Sequence, residues 1–257
     1  MKTGLVLSGG GARGSAHIGV LKALEELHVQ IDAISGVSAG AVIGACYAAG
    51  MKPAELLSLI KEMDLFSFSD FRPGKSGLFK FETIKKPLQK ALGQMTFEAL
   101  PISLTVCATD FKNAVSEYFS TGELLDKVMA SLAVPAIFQP VTIGDKMYVD
   151  GGLLNNFPVE PLLEKCDFVI GVHVNPIRPH PDDFSMKAMI ERSFMMAINN
   201  VTKEKFRLCQ VLIEPDDLIN YNLFDMQHVE EMAGIGYRAA MEQKERLLSL
   251  GSPKTAG

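Results

Sequence analysis

Gly36-Val37-Ser38-Ala39-Gly40 sets one serine between two glycines, with an apolar run before it and a helical pattern after it. A nucleophilic serine needs that arrangement. A sharp strand-to-helix turn holds its hydroxyl exposed, and the glycines let neighbouring backbone come close. The helix that follows turns its amide-bearing end toward developing negative charge. A glycine-rich turn with an N-cap serine would be written in the same five residues. The apolar strand before and the helix after favour catalysis.

Gly9-Gly10-Gly11-Ala12-Arg13-Gly14 also follows an apolar strand and precedes a helix. Consecutive amides in such a loop form a concave anion site. Beside a nucleophilic serine this would be an oxyanion hole, where the loss of one donor costs roughly 3 kcal/mol of transition-state stabilisation. Gly9, Gly11 and Gly14 satisfy G-x-G-x-x-G as well, and Asp32 lies 18 residues beyond Gly14, near where a dinucleotide fold places its ribose-binding acid. A nucleotide-binding module is therefore the alternative. It is weakened because Asp32 opens the second strand rather than closing it, and because it leaves Ser38 unexplained.

Ser38 needs a proton acceptor. In Asp150-Gly151-Gly152 a carboxylate follows a short strand and two glycines free the backbone around it. An aspartate of ordinary pKa ~3.9 is a weak base, but partial desolvation raises its basicity. Standing alone, the motif would read as a D-G turn. The order serine, acid, histidine known from other hydrolases would instead nominate His173, His180 or His228. His173 alternates within an apolar strand and reads as a core histidine. His180 sits between prolines, and His228 falls on the last helix. His17 begins the first helix, and His28 ends it.

The elements that must position these residues are legible from periodicity. Residues 3–7 and 31–35 read as short buried strands, and 15–27 and 38–49 as helices, the second ending at Gly50. Connections this short imply a parallel sheet with helices packed on it. Helices are expected over 53–63 and 81–92, and strands over 104–109, 115–120, 168–174 and 211–213. Residues 141–143 and 146–149 flank Gly144-Asp145 as a hairpin. A last helix spans 227–248. One α/β domain, residues 1–250, accounts for the chain, and 251–257 reads as a disordered tail.

Residues 65–81 hold five of the 15 phenylalanines in 17 positions. They form either a lid over the serine or a loop pinned to the core by aromatic plugs. Met186, Met189, Ile190, Phe194 and Ile198, within 184–198, recur near helical spacing, as in a core-facing helix.

Composition narrows the function classes. With 257 residues and 47% hydrophobic content, the chain can bury a sizeable core without disulfide or metal staples. Its net charge of −5 and lack of a Lys/Arg block argue against nucleic acid as a partner. Cys46, Cys107, Cys166 and Cys209 lie far apart with no metal-type spacing and read as reduced, mostly buried thiols. The start of the chain lacks a secretion signal. The uncharged stretch 33–51 is too rich in glycine and serine for a membrane span, so a cytoplasmic location is expected.

Taken together, GGGARG, GVSAG and DGG in this order resemble the patatin-like phospholipase family, particularly its short bacterial cytoplasmic members. The run Ala16-His17-Ile18-Gly19-Val20-Leu21, Asp110 after a strand, and Asn156-Phe157-Pro158 are also similar to that family. The likeness is weakest over 65–100 and beyond Pro176. The resemblance implies a three-layer α/β/α sandwich with a mainly parallel sheet, and a Ser-Asp dyad without histidine. Ser38 would be the nucleophile and Asp150 the general base. The amides of Gly10 and Gly11, with Arg13 nearby, would serve the oxyanion hole, although Arg13 equally suits a structural ion pair. Gly9, Gly14, Gly36, Gly40, Gly151 and Gly152 complete the motifs. The implied substrates are acyl esters of lipids, met in transient contact with a membrane surface, with no cofactor and no metal. An acyltransferase and a catalytically idle relative are the neighbouring alternatives.

Overall fold

The computed structural model describes residues 1–63, 81–177 and 186–250. Strand β1 (Thr3–Leu7) leads through a turn of 3-10 helix at Gly11–Gly14 into α1 (Ser15–Glu26), and β2 (Ala33–Val37) leads into α2 (Ala39–Ala48). Helix α3 (Pro53–Glu62) begins on its proline, where a missing N–H costs no helical bond. After α4 (Glu82–Leu92) come β3 (Ser103–Asp110), β4 (Val115–Phe119) and α5 (Leu124–Ser131). Strands β5 (Val141–Ile143) and β6 (Lys146–Asp150) turn at Gly144, whose φ of 62° suits a residue without Cβ. Helix α6 (Glu160–Leu163), β7 (Phe168–Val172), α7 (Met186–Lys205), β8 (Val211–Ile213), α8 (Val229–Glu242) and α9 (Lys244–Ser249) follow.

Among the described residues the strands form one eight-stranded sheet in the order β5-β6-β3-β2-β1-β7-β8, with β4 also paired to β3. Strands β3, β2, β1, β7 and β8 run parallel, and β4, β6 and β5 add antiparallel pairs. Leu5 and Leu7 face the larger core, which joins α1, α2, α5 and α8 to the sheet. Val6 faces the other way, into a smaller core with Phe157, Val159 and Leu162. Strands covered on both faces are apolar at consecutive positions, as β1 is. This is the expected α/β sandwich.

One strand acts as a template for the rest of the architecture. Cys107 of β3 pairs with Val37 of β2 on one side and Tyr118 of β4 on the other. The next residue, Ala108, pairs with Asp150 of β6 and with Glu117 of β4. Strands β2 and β6 therefore share one edge of β3, the first parallel to it and the second antiparallel. They run toward each other and stop at adjacent β3 residues. Register alone brings the ends of β2 and β6 head to head.

Three expectations shift. Strand β2 starts at Ala33 rather than residue 31, because Asp32 exchanges bonds with Thr3: its amide donates to the Thr3 oxygen at 2.9 Å and its Oδ2 accepts from the Thr3 amide at 2.7 Å. The helix expected over 227–248 is two helices, α8 and α9, broken at Gln243 (φ −93°, ψ 9°) without a Pro or Gly to mark the place. Helix α5 lies between the strands expected over 115–120 and 141–143, where no element was expected. Of the phenylalanine-rich segment, residues 65–80 lie outside the described residues; Phe81 stacks on Phe138 with ring centroids 4.6 Å apart. The methionine segment 184–198 begins outside the described residues. Within it Met195 and Ile198 are buried, but Met186, Met189 and Met196 are exposed, so the helix is only partly core-facing. His180 and the tail 251–257 also lie outside.

Candidate active site

Ser38 sits between the last residue of β2 and the first of α2 with φ 52° and ψ −124°, a conformation unfavourable for a residue with a side chain. The flanking glycines explain how it is held. A Cβ on Gly40 would strike the Leu7 and Ser8 carbonyl oxygens at the end of β1, and one on Gly36 would lie 2.6 Å from the Gly40 oxygen. Close packing of the α2 start onto the sheet thus fixes the turn. The Ser38 amide donates to Ser131 Oγ at 2.8 Å, and Ser131 Oγ donates to the Cys107 oxygen at 2.6 Å.

The Ser38 hydroxyl donates to Asp150 Oδ2 at 2.6 Å, across 112 residues of sequence. Asp150 Oδ1 accepts from the Gly152 amide at 2.7 Å. The backbone on either side of the carboxylate is fixed as well. The Asp150 amide donates to the Ala133 oxygen at 2.9 Å, and Thr109 Oγ1 donates to the Asp150 oxygen at 3.0 Å. Asp150 is only 3% exposed. Burial pushes its carboxyl up to about 6, against the opposing pull of the bonds from Ser38 and Gly152. The result is a carboxylate ionised at neutral pH yet more basic than one in water.

The glycine loop borders the serine turn. A Cβ on Gly9 would lie 3.1 Å from that of Ser38, and one on Gly14 would lie 2.5 Å from that of Ala39. Gly11 has φ 55° and passes against the Leu223 carbonyl, which accepts from the Ala12 amide at 2.8 Å. The amides of Gly10 and Gly11 donate to no other described residue. Gly151 packs against the Cys107 carbonyl and Gly152 against Asn156. Arg13 does something else. Its buried guanidinium donates to the Tyr221 oxygen from Nε at 2.8 Å and Nη2 at 2.5 Å, and to the Pro176 oxygen at 3.4 Å. Those bonds tie the glycine loop to two later loops.

No described histidine bonds to Ser38. His17 is buried with Nε2 2.8 Å from the Ser8 oxygen, and burial lowers its pKa to about 4, so it is neutral. His173, also buried, bonds through Nδ1 to Glu214 Oε1 at 2.7 Å, with its ring against Phe157 and Phe206. His228 pairs with Asp225, and His28 is an exposed helix-end residue. Sequence reasoning missed Ser131 and Asn175. The Asn175 amide nitrogen donates to the Gly9 oxygen at 2.6 Å, holding the loop from behind. Neither residue carries a local signal, since each acts on a partner far away in sequence.

Beside Ser38 opens a cavity lined by Val42, Ile84, Leu132, Ile137, Phe138 and other apolar side chains, suited to a hydrocarbon chain. Asp32 lies at the opposite end of β2 from the glycine loop and is bonded to Thr3, so it is not placed to bind a ribose beside that loop. Among the described residues no group of three or more His, Cys, Asp or Glu is placed to hold a metal, and no helix is long and apolar enough to cross a membrane. The four cysteines are free thiols.

Comparison with known proteins identifies the family and the fold. A family model described as Patatin-like phospholipase matches residues 5–163. An NTE family protein of Mycobacterium tuberculosis is 33% identical over 177 residues, 68% of this chain and 49% of its own length. Lysophospholipase NTE1 of Kluyveromyces lactis is 27% identical over 267 residues, covering 91% of this chain and 18% of its own. The chain thus spans half the length, or less, of these curated relatives. In fold it is similar to VipD from Legionella pneumophila, with a TM-score of 0.58 at 16% identity over 97% of this chain and 67% of that one. ExoU, in its complex with SpcU from Pseudomonas aeruginosa, gives 0.52 at 21% identity over 96% and 52%.

Proposed function

This chain belongs to the patatin-like phospholipase family, and from that premise we propose that it is a serine acyl hydrolase cleaving carboxylic esters of lipids, phospholipids and lysophospholipids among them. The observation that carries the reading is the 2.6 Å hydrogen bond from Ser38 Oγ to the buried Asp150 carboxylate. The apolar cavity beside Ser38 suits the acyl chain. The name lysophospholipase carried by a relative 27% identical points to the same substrate class.

The reaction has two halves. Asp150 takes the Ser38 proton as Ser38 Oγ attacks the ester carbonyl carbon. The amides of Gly10 and Gly11 receive the oxyanion of the tetrahedral intermediate. Its collapse breaks the carbon–alkoxy bond, and the alcohol leaves with the proton held by Asp150. Water then gives a proton to Asp150 and attacks the acyl-serine. The second collapse releases the fatty acid and returns the proton to Ser38. Basicity raised by burial is what lets an aspartate do this without a histidine. Arg13 sets the shape of the glycine loop through Tyr221 and Pro176 rather than touching the oxyanion.

Labelling with a fluorophosphonate probe tests the assignment. The folded wild type should label, and Ser38→Ala and Asp150→Asn should not. Equal labelling of either variant would overturn the dyad.

A further inference from the structure

Just past the end of β7 a buried asparagine takes hold of the glycine loop. The pairing of Leu7 with Val172 is the last in the β1–β7 ladder, and side chains then take over. Ser8 Oγ accepts from the Val174 amide at 3.1 Å, and Asn175 Nδ2 donates to the Gly9 oxygen at 2.6 Å. Asn175 is itself held from α7, where Asn199 Nδ2 donates to the Asn175 backbone oxygen at 3.3 Å and to the Met195 oxygen at 3.0 Å. Asn175 is 1% exposed, and its Oδ1 has no hydrogen-bond partner among the described residues. An unpaired buried acceptor is unfavourable, and an apolar side chain of similar size would avoid it. What the position retains is the donor half of the amide.

The Gly9 oxygen and the Gly10 N–H belong to one planar trans peptide, so they point in opposite directions and turn together. Fixing the oxygen on Asn175 fixes the N–H on the other edge. That peptide starts beside the serine turn, since a Cβ on Gly9 would lie 3.1 Å from that of Ser38. Its back rests on the strand extension, where a Cβ on Gly10 would strike Val174 and lie 3.1 Å from Asn175 Oδ1. The Gly10 N–H donates to no other described residue. A carbonyl that accepts a hydrogen bond also polarises its peptide and makes the N–H a better donor. We infer that Asn175 is a positioning residue for the oxyanion hole, which by binding the Gly9 oxygen aims the Gly10 N–H at the ester oxygen and strengthens it. The inference rests on the acyl-hydrolase reading of Ser38, with Gly10 as an oxyanion donor.

Asn175→Leu removes the donor at similar size, and Asn199→Ala removes the support from α7 while leaving the Gly9 bond in place. After thermal melts show each protein folded, both are compared with wild type on p-nitrophenyl octanoate and on octyl trifluoromethyl ketone. Ser38 Oγ adds to the ketone carbon, its proton passes to Asp150, and the ketone oxygen becomes the oxyanion. In Asn175→Leu, kcat and ketone affinity should both fall by roughly 10- to 100-fold, less than for outright loss of a donor, with KM close to wild type. Asn199→Ala should show the same split with a smaller factor. A merely structural role would lower the melt or raise KM without separating ketone from ester. Wild-type kcat and ketone affinity in folded Asn175→Leu would overturn the role of Asn175. Should that variant not fold, the same wild-type values in Asn199→Ala would overturn it. A folded wild type that neither labels with fluorophosphonate nor hydrolyses the ester would overturn the hydrolase reading, and the positioning role with it.

Discussion

Asp150 carries a conflict between stability and reactivity in one side chain. Its folded-state pKa of about 6 stands above the ordinary 3.8, so the folded protein holds this proton more tightly than the unfolded chain does. Stability attributable to Asp150 therefore falls as pH rises between those values, and the full cost is present above about pH 6. A shift of that size corresponds to about 3 kcal/mol. Asp150→Asn keeps the shape and cannot ionise. It should melt above wild type at pH 8, with the gap closing toward pH 4; a gap unchanged across that range would contradict a charge origin. As the proposed base, the same group should govern turnover in the opposite sense. A general base must be deprotonated, so kcat/KM on a short acyl ester should rise through about pH 6 and then level off. A profile flat from pH 5 to 8 would exclude Asp150 as the base.

At the scale of elements, the serine turn depends on α5. Ser131, at the last position of that helix, accepts the Ser38 amide and donates to the Cys107 carbonyl, joining helix, central strand and serine turn. Ser131→Ala would leave a buried amide and a buried carbonyl without their partner. The expected cost is about 1–3 kcal/mol in stability, measured by denaturant unfolding. Fluorophosphonate labelling should also slow, because Ser38 at φ 52° relies on its surroundings to stay in place. A variant as stable and as fast to label as wild type would show the turn to be self-supporting. No helix was expected over residues 124–131, and its contact with Ser38 has no local signal, because 93 residues separate the two serines.

At the scale of the whole molecule, the glycine loop is held by the C-terminal third of the chain, beyond residue 163, where the match to the family model ends. The Ala12 amide bonds to Leu223 and the Arg13 guanidinium to Tyr221. Helix α8 packs so closely on α1 that a Cβ on Gly19 would strike the Ala233 carbonyl, and one on Gly236 the Ala16 carbonyl. Gly19→Val should therefore force the helices apart. A loss of about 1–3 kcal/mol or more is expected, read as a lower melting temperature, with slower probe labelling as the loop loosens. A melt equal to that of wild type would mean that the helices slide without cost.

The sequence by itself determined everything that a few neighbouring residues can encode. The consecutive apolar residues of β1, the strand-turn-helix around Ser38, the hairpin at Gly144 and the N-terminal proline of α3 are all set by local sterics and patterning. It also restricted the proton acceptor to a short set, with Asp150 and several histidines left open. Only the tertiary structure shows which of the described candidates is bonded to Ser38. The pairing of Val37 with Cys107 and of Asp150 with Ala108 brings two strand ends together on one edge of β3, whereas His17 and His173 are drawn into buried bonds with Ser8 and Glu214. The break at Gln243 carries no Pro or Gly mark, and the bonds from Arg13 to Tyr221 and Pro176 likewise join parts distant in sequence. Such contacts join residues far apart along the chain, and strand register and packing, which no local pattern records, determine which of them form.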